Sequence, residues 1–143
     1  MFSRQAGRYL KEFQEIRKKN KNFINLCLNE RLVNKISQQP IKRFDLDAII
    51  LFSDILIIPY GLGQKVSFIK NFGPVLENLN LDSIIKVSKT DFINRINPVY
   101  KSINLLKNNM DYKNKSLIGF AGAPWTLLLY MINKQSPKKN FNK

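Results

Sequence analysis

Two rhythms of apolar and polar positions run through this chain. Tyr9, Phe13 and Ile16 recur at helical spacing, with Glu12, Glu15 and Arg17 on the polar side. The pattern predicts a helix from about Leu10 to Ile16. A second helical pattern runs from Glu30 towards Ile36, and Pro40 limits how far it can continue, because proline has no N–H to donate. Ala48 to Phe52 is different: a continuous apolar run that ends abruptly at Ser53-Asp54. Such a run fits a strand covered on both faces, as parallel sheets are.

Gly61-Leu62-Gly63 then opens a loop. Val66 to Ile69 and the Pro74-Val75 region read as two short β pieces around a turn at Asn71 to Gly73. Leu81 to Val87 reads as a short helix. Asn97-Pro98 is a helix start signal, with Val99, Ile103, Leu106 and Met110 on one side of the helix that follows. A third buried strand is expected over Ser116 to Phe120. A turn at Ala121 to Thr126 leads into an apolar helix ending near Met131, and the basic tail from Lys134 is expected to fray. Strands alternating with helices indicate an α/β architecture with parallel strands. The chain starts where an element should already be under way and stops just after a helix, so it reads as a piece: one incomplete domain over residues 1–143.

Charge narrows the partners. Lys+Arg number 24 against 10 Asp+Glu, a formal net charge of +14. That balance favours an anionic partner such as nucleic acid, an anionic membrane or a polyacidic metabolite. Much of the excess sits in runs such as Lys18-Lys19-Asn20-Lys21-Asn22, which are not interleaved with exposed aromatics or set on one recognition helix. One cysteine, Cys27, and no histidine exclude an internal disulfide, Cys/His zinc sites and His-dependent triads within this chain. No stretch approaches the ~20 apolar residues of a spanning helix. No secretory signal opens the chain. A cytoplasmic protein with no membrane partner is the economical expectation.

The chemistry-bearing residues cluster at a few points. Arg4-Gln5-Ala6-Gly7-Arg8-Tyr9 holds two arginines around a small-residue turn. Each guanidinium fork matches the two oxygens of a carboxylate, so the pair suits a ligand bearing several carboxylates. A solvated basic segment looks the same, and the six residues alone leave both readings open. Asp54 stands at the carboxyl end of the best strand, where α/β folds gather ligands; a structural cap fits that position equally. Gly119-Phe120-Ala121-Gly122 is best read as tight strand–helix packing, Phe120 and Trp125 as core, and Cys27 as a small core hydrophobe. Tyr130 offers one phenolic hydroxyl late in the apolar helix.

Together, Arg4 to Leu10, Gln39 to Ala48, Leu51 to Leu56 and Leu117 to Leu127 resemble the uroporphyrinogen decarboxylase family in order and spacing, from Arg4 to about Lys134. The resemblance implies the first few βα units of a partial (β/α)8 TIM barrel. It implies decarboxylation of the four acetate side chains of uroporphyrinogen III to coproporphyrinogen III, in porphyrin and haem biosynthesis. No metal or organic cofactor is implied, and the full-length protein is implied to be a homodimer. Arg4, Gln5, Ala6, Gly7 and Arg8 would form the substrate-binding loop. Arg4 would also assist proton delivery, and Asp54 would hydrogen-bond the pyrrole N–H groups and stabilise a cationic transition state. Tyr130 and Arg17 would contact substrate. Ser3, Lys11 and Leu129 stand where the family commonly has Met, Pro and Thr, and the family's later hydroxyl residue and C-terminal histidine have no counterpart here. A full barrel takes ~250 residues, so the 143-residue chain alone is expected to be poorly folded or inactive. The rival readings are a corrinoid-dependent methyltransferase-like barrel and a basic nucleic-acid-binding module.

Overall fold

Seven helices and four strands occupy the described residues of the computed structural model, which are 7–69, 72–108 and 115–136. In chain order they are α1 (Lys11–Lys19), α2 (Phe23–Cys27), α3 (Glu30–Arg43), β1 (Ala48–Ile50), α4 (Ile57–Gly61), β2 (Val66–Ile69), β3 (Gly73–Leu76), α5 (Leu81–Ile85), α6 (Lys89–Asn108), β4 (Ser116–Ile118) and α7 (Pro124–Asn133). The fold is mixed α/β. It divides into two compact units, one of Met1–Asp54 with Asn97–Phe120, the other of Ile55–Ile96 with Ala121–Lys143.

In the first unit the apolar run forms the expected parallel strand, but it is fully buried on one face only: Ile49 and Leu51 are buried, and Ala48, Ile50 and Phe52 are half-buried. β1 pairs in parallel with β4, Ile49 opposite Leu117, and Leu51 N–H extends the ladder to the Ile118 carbonyl at 2.9 Å. Ile49 is 0% exposed. Val33, Leu51 and Leu106 form the core, with Phe52, Val99, Ile103 and Leu117 packed against it. Two helices of this unit, α2 and α3, are started by asparagines. Asn22 Oδ1 accepts from Asn25 N–H and Asn29 Oδ1 from Leu32 N–H, each at 3.0 Å. An Asn side chain at that position satisfies an N–H that the helix itself leaves unbonded. The first of these caps starts α2, a helix absent from the sequence-based reading.

The second unit holds the expected hairpin, β2 antiparallel to β3 with Val66 opposite Leu76 and Ile69 opposite Gly73. Gln64 ties it together: its buried carboxamide N–H donates to the Glu77 carbonyl at 2.8 Å and the Met131 carbonyl at 3.1 Å. Val75 bridges Gln135, and Leu76 N–H donates to the Lys134 carbonyl at 2.8 Å, so the start of the predicted tail is bonded to β3. Residues 137–143 of that tail lie outside the described residues, as does Met110.

Several expectations need correction. Pro40 does not end α3, which runs on to Arg43, with Phe44 N–H closing on the Pro40 carbonyl at 2.9 Å. Residues Ile36 to Ile41 are all buried, and that packing outweighs the one hydrogen bond proline removes. Nor do Asn97-Pro98 start a helix: α6 begins at Lys89 and carries Pro98 in its interior. Its start is set by Ser88, whose Oγ accepts from Asp91 N–H at 3.0 Å and donates to Asp91 Oδ2 at 2.7 Å, a reciprocal cap. The strand expected to be buried over Ser116 to Phe120 is short and largely exposed, because β1 is its only partner among the described residues. Phe120 and Trp125 are exposed rather than core; α7 is apolar all round but buries only Leu127 and Met131.

Candidate functional site

The arginine turn is made by glycine. Gly7 is buried with φ +58°, a left-handed conformation that costs a side-chain-bearing residue energy, and its carbonyl accepts Leu10 N–H at 2.9 Å. Arg8 and Tyr9 are thereby carried on the outside of the turn, exposed, at the entry to α1. Arg4, Gln5 and Ala6 lie outside the described residues.

Asp54 follows the carboxyl end of β1 and is half-buried. The backbone two residues before it is held from both sides of the strand. Leu51 N–H is taken by β4, and Phe52 N–H donates to Oγ of Ser37, on α3, at 2.8 Å. The Phe52 ring is also fixed, tilted against Phe13 with centroids 5.7 Å apart and edge-on to Phe23 at 5.8 Å.

Arg17 is half-buried and largely committed to structure. Its Nη1 donates to the carbonyls of Asn20 and, at 2.7 Å, Lys21, which end α1, and its guanidinium lies 5.5 Å from the centre of the Phe23 ring. The remaining donors of the fork are what it can offer a ligand.

Cys27, the last residue of α2, reports on how these groups are grouped. Its buried thiol is pushed up to about 12, chiefly by loss of solvation and further by the negative charge of Asp54, while Arg17 and Arg8 pull it the other way. One carboxylate and two guanidinium groups therefore share the electrostatic neighbourhood of a single buried sulfur. The set can bind carboxylates through the arginines and accept N–H donors or stabilise a cation through Asp54. Among the described residues no group of three or more His, Cys, Asp and Glu side chains could hold a metal ion.

Tyr130 belongs to the second unit, where its hydroxyl lies 3.3 Å from Ser136 Oγ. That unit also has a half-open cavity of about 270 Å³ lined by residues including Leu62, Gln64, Glu77, Ser83 and Arg95, none of them a residue singled out for chemistry from the sequence. Conversely, Ser37, Phe13 and Phe23 hold Phe52, two residues before Asp54, and none of them was singled out for chemistry. The signal for Ser37 was present: a hydroxyl four residues after Val33 and next to Ile36, on the apolar side of a helical pattern. No described helix is long and apolar enough to cross a membrane.

Comparison with known proteins gives a consistent pattern. The chain matches the family described as "Uroporphyrinogen decarboxylase (URO-D)" over residues 1–143. It is 43% identical over 129 residues to a uroporphyrinogen decarboxylase of Agrobacterium fabrum, covering 90% of this chain and 37% of that protein. It is 42% identical over 131 residues to the Rickettsia felis enzyme of the same name (92% and 38%), and 44% over 140 residues to that of Aliarcobacter butzleri (94% and 40%). The chain thus spans about 40% or less of the length of these curated relatives. Among solved structures, a methyltransferase from Methanosarcina mazei superposes with a TM-score of 0.62 at 16% identity, over 82% of this chain and 36% of that one. That likeness concerns the fold alone.

Proposed function

The chain belongs to the uroporphyrinogen decarboxylase family, and from that premise we propose that the protein carrying it removes carbon dioxide from the four acetate side chains of uroporphyrinogen III to give coproporphyrinogen III. This segment contributes the first few βα units of a (β/α)8 barrel. The parallel pairing of β1 with β4, with helices between them in sequence, is the arrangement such units require.

The chemistry needs no cofactor. Protonation of the pyrrole carbon next to the one bearing the acetate group leaves a cationic ring that acts as electron sink. The bond to the carboxylate carbon then breaks, carbon dioxide leaves, and the electron pair forms an exocyclic methylene that neutralises the ring. A second proton completes the methyl group, and the ring carbon gives up the first proton to restore the pyrrole. Asp54 accepts the central pyrrole N–H groups and stabilises the cationic ring. Arg8, together with Arg4, grips carboxylates, Arg4 helps deliver the proton, and Gln5, Ala6 and Gly7 shape the loop between them. Arg17 and Tyr130 contact substrate on the strength of resemblance. The protein works as a cytoplasmic homodimer with a polycarboxylate tetrapyrrole as its partner.

One observation carries this reading: Asp54 and Arg8 both act, in opposite directions, on the Cys27 thiol, so the carboxylate and a carboxylate-binding arginine occupy one neighbourhood. The test is turnover of uroporphyrinogen by the protein that carries this chain. Asp54→Asn is expected to lower kcat by roughly 10²–10³, the cost of losing one stabilising group for developing charge. Arg8→Ala is expected to raise KM roughly ten- to hundredfold, since hydrogen bonds to charged groups are the strong ones. Unchanged turnover in Asp54→Asn overturns the assignment.

A further inference from the structure

We propose that Ser37 is a positioning residue for Asp54. The proposal rests on the reading above that Asp54 meets the substrate. β1 is paired only by β4 among the described residues, and the last ladder bond on that side is Leu51 N–H to the Ile118 carbonyl, 2.9 Å. Successive N–H groups of an extended chain point to opposite edges, so Phe52 N–H faces away from β4. Ser37 Oγ takes it at 2.8 Å, standing in for a strand. Ser37 is 4% exposed, so water does not compete for that hydroxyl.

Only Ser53 separates Phe52 from Asp54, and Phe52 is the last point before it where both backbone and side chain are clamped. Its ring is wedged against Phe13 of α1 and Phe23 of α2, and its N–H is tied to α3. Loss of the Ser37 hydroxyl releases the backbone clamp and leaves the rings in place. The carboxylate then samples a wider range of positions under the substrate, while the arginines that set affinity are untouched. A loss in kcat at nearly constant KM is the signature, because misplacement by about 1 Å is costly to a transition state and cheap to ground-state binding.

The experiment compares Ser37→Ala, Ser37→Thr, Asp54→Asn and the Ser37→Ala/Asp54→Asn double variant in the protein that carries this chain. Ser37→Ala is expected to lower kcat about tenfold with KM within about twofold, and Ser37→Thr, which keeps the hydroxyl, to restore most of it. With Asp54→Asn present, Ser37→Ala should cost no further turnover, yet lower the melting temperature as much as it does alone; a purely structural serine would show no such split. If the alanine variant does not fold, Ser37→Cys, similar in volume but a poorer acceptor, is measured in its place with the same expectation. Unchanged kcat in the serine variants, or a tenfold loss that persists on top of Asp54→Asn, sinks the proposal and leaves the role of Asp54 intact. Wild-type turnover in Asp54→Asn rejects the functional reading itself, and the positioning role with it.

Discussion

The two units treat their apolar side chains differently. The first folds Val33, Leu51 and Leu106 into a shared core and backs it with Phe52, Val99, Ile103 and Leu117, drawn from α3, α6, β4 and the end of β1. The second exposes Phe72, Leu81, Ile85, Trp125 and Ile132 and is held at its centre by a polar group, the Gln64 carboxamide joining two carbonyls. A carboxylate aimed at a ligand needs rigid support, and Asp54 follows a segment of the first unit that contains the buried Ile49 and Leu51. Exposed apolar surface on the second unit is an aggregation liability unless something covers it.

The largest expected effect tests that contrast directly. Leu106 is 0% exposed and Trp125 is 68% exposed. Leu106→Ala should cost about 2–5 kcal/mol in denaturant unfolding, from lost burial plus the cavity left behind. Trp125→Ala should stay within about 0.5 kcal/mol, as surface substitutions do. Equal losses would mean that the two units are packed alike.

The same contrast explains what could be read from the residues beforehand. The Ala48 to Phe52 run declared itself as a strand through its unbroken hydrophobicity, although the face carrying Ala48, Ile50 and Phe52 is only half-buried. The hairpin and Asp54's place at a strand end followed from short-range patterns as well. Pro40 and Pro98 misled, because each removes only one hydrogen bond from a helix that continues through it; at Pro40 the buried run Ile36 to Ile41 outweighs that loss, and packing of this kind is invisible to a local rule. Trp125 and Phe120 misled in the opposite direction: hydrophobicity states a preference for burial, and only the fold decides whether a partner is there. The grouping of Arg8 with Asp54 was suggested by the four family segments rather than by any one residue, and both act on Cys27. Ser37 escaped because a serine's role depends on which N–H the fold brings to it.

A smaller effect probes where the second unit is tightly packed. A Cβ built on Gly61 would lie 2.7 Å from Phe92 Cε2 and 2.8 Å from Ile96 Cγ2, closer than carbon atoms tolerate. Gly61→Ala should destabilise by about 1–2 kcal/mol, the overpacking cost exceeding the helix propensity gained at the end of α4. Gly119→Ala, in the first unit, meets nothing within 4 Å and should be close to neutral. A neutral Gly61→Ala in thermal unfolding would show that α4 and α6 can part without penalty, and the second unit would then have no tight seam there.

The finest distinction lies in alkaline stability. Cys27 in the first unit is pushed from 9.0 to about 12, mainly by burial. With the folded value raised, the folded state keeps a proton that the unfolded chain gives up, so unfolding is favoured as pH climbs above 9 and increasingly so towards 12. At pH 10 the expected loss is about 1.4 kcal/mol, and Cys27→Ala should remove that part of the pH dependence while lowering stability at neutral pH through its own small cavity. On the second unit the exposed Lys65, raised by its bond to Glu77 at 2.8 Å, also loses its contribution as pH rises through its folded value, above 10.5. Salt separates the two. An exposed pair is screened at high ionic strength, whereas a desolvated thiol is not. Unfolding curves at pH 7, 9 and 10 in low and high salt should therefore show a salt-independent alkaline loss that disappears in Cys27→Ala. If the loss survives that substitution, the sulfur beside Asp54 is better solvated than its burial implies, and the first unit is less tightly closed around its site.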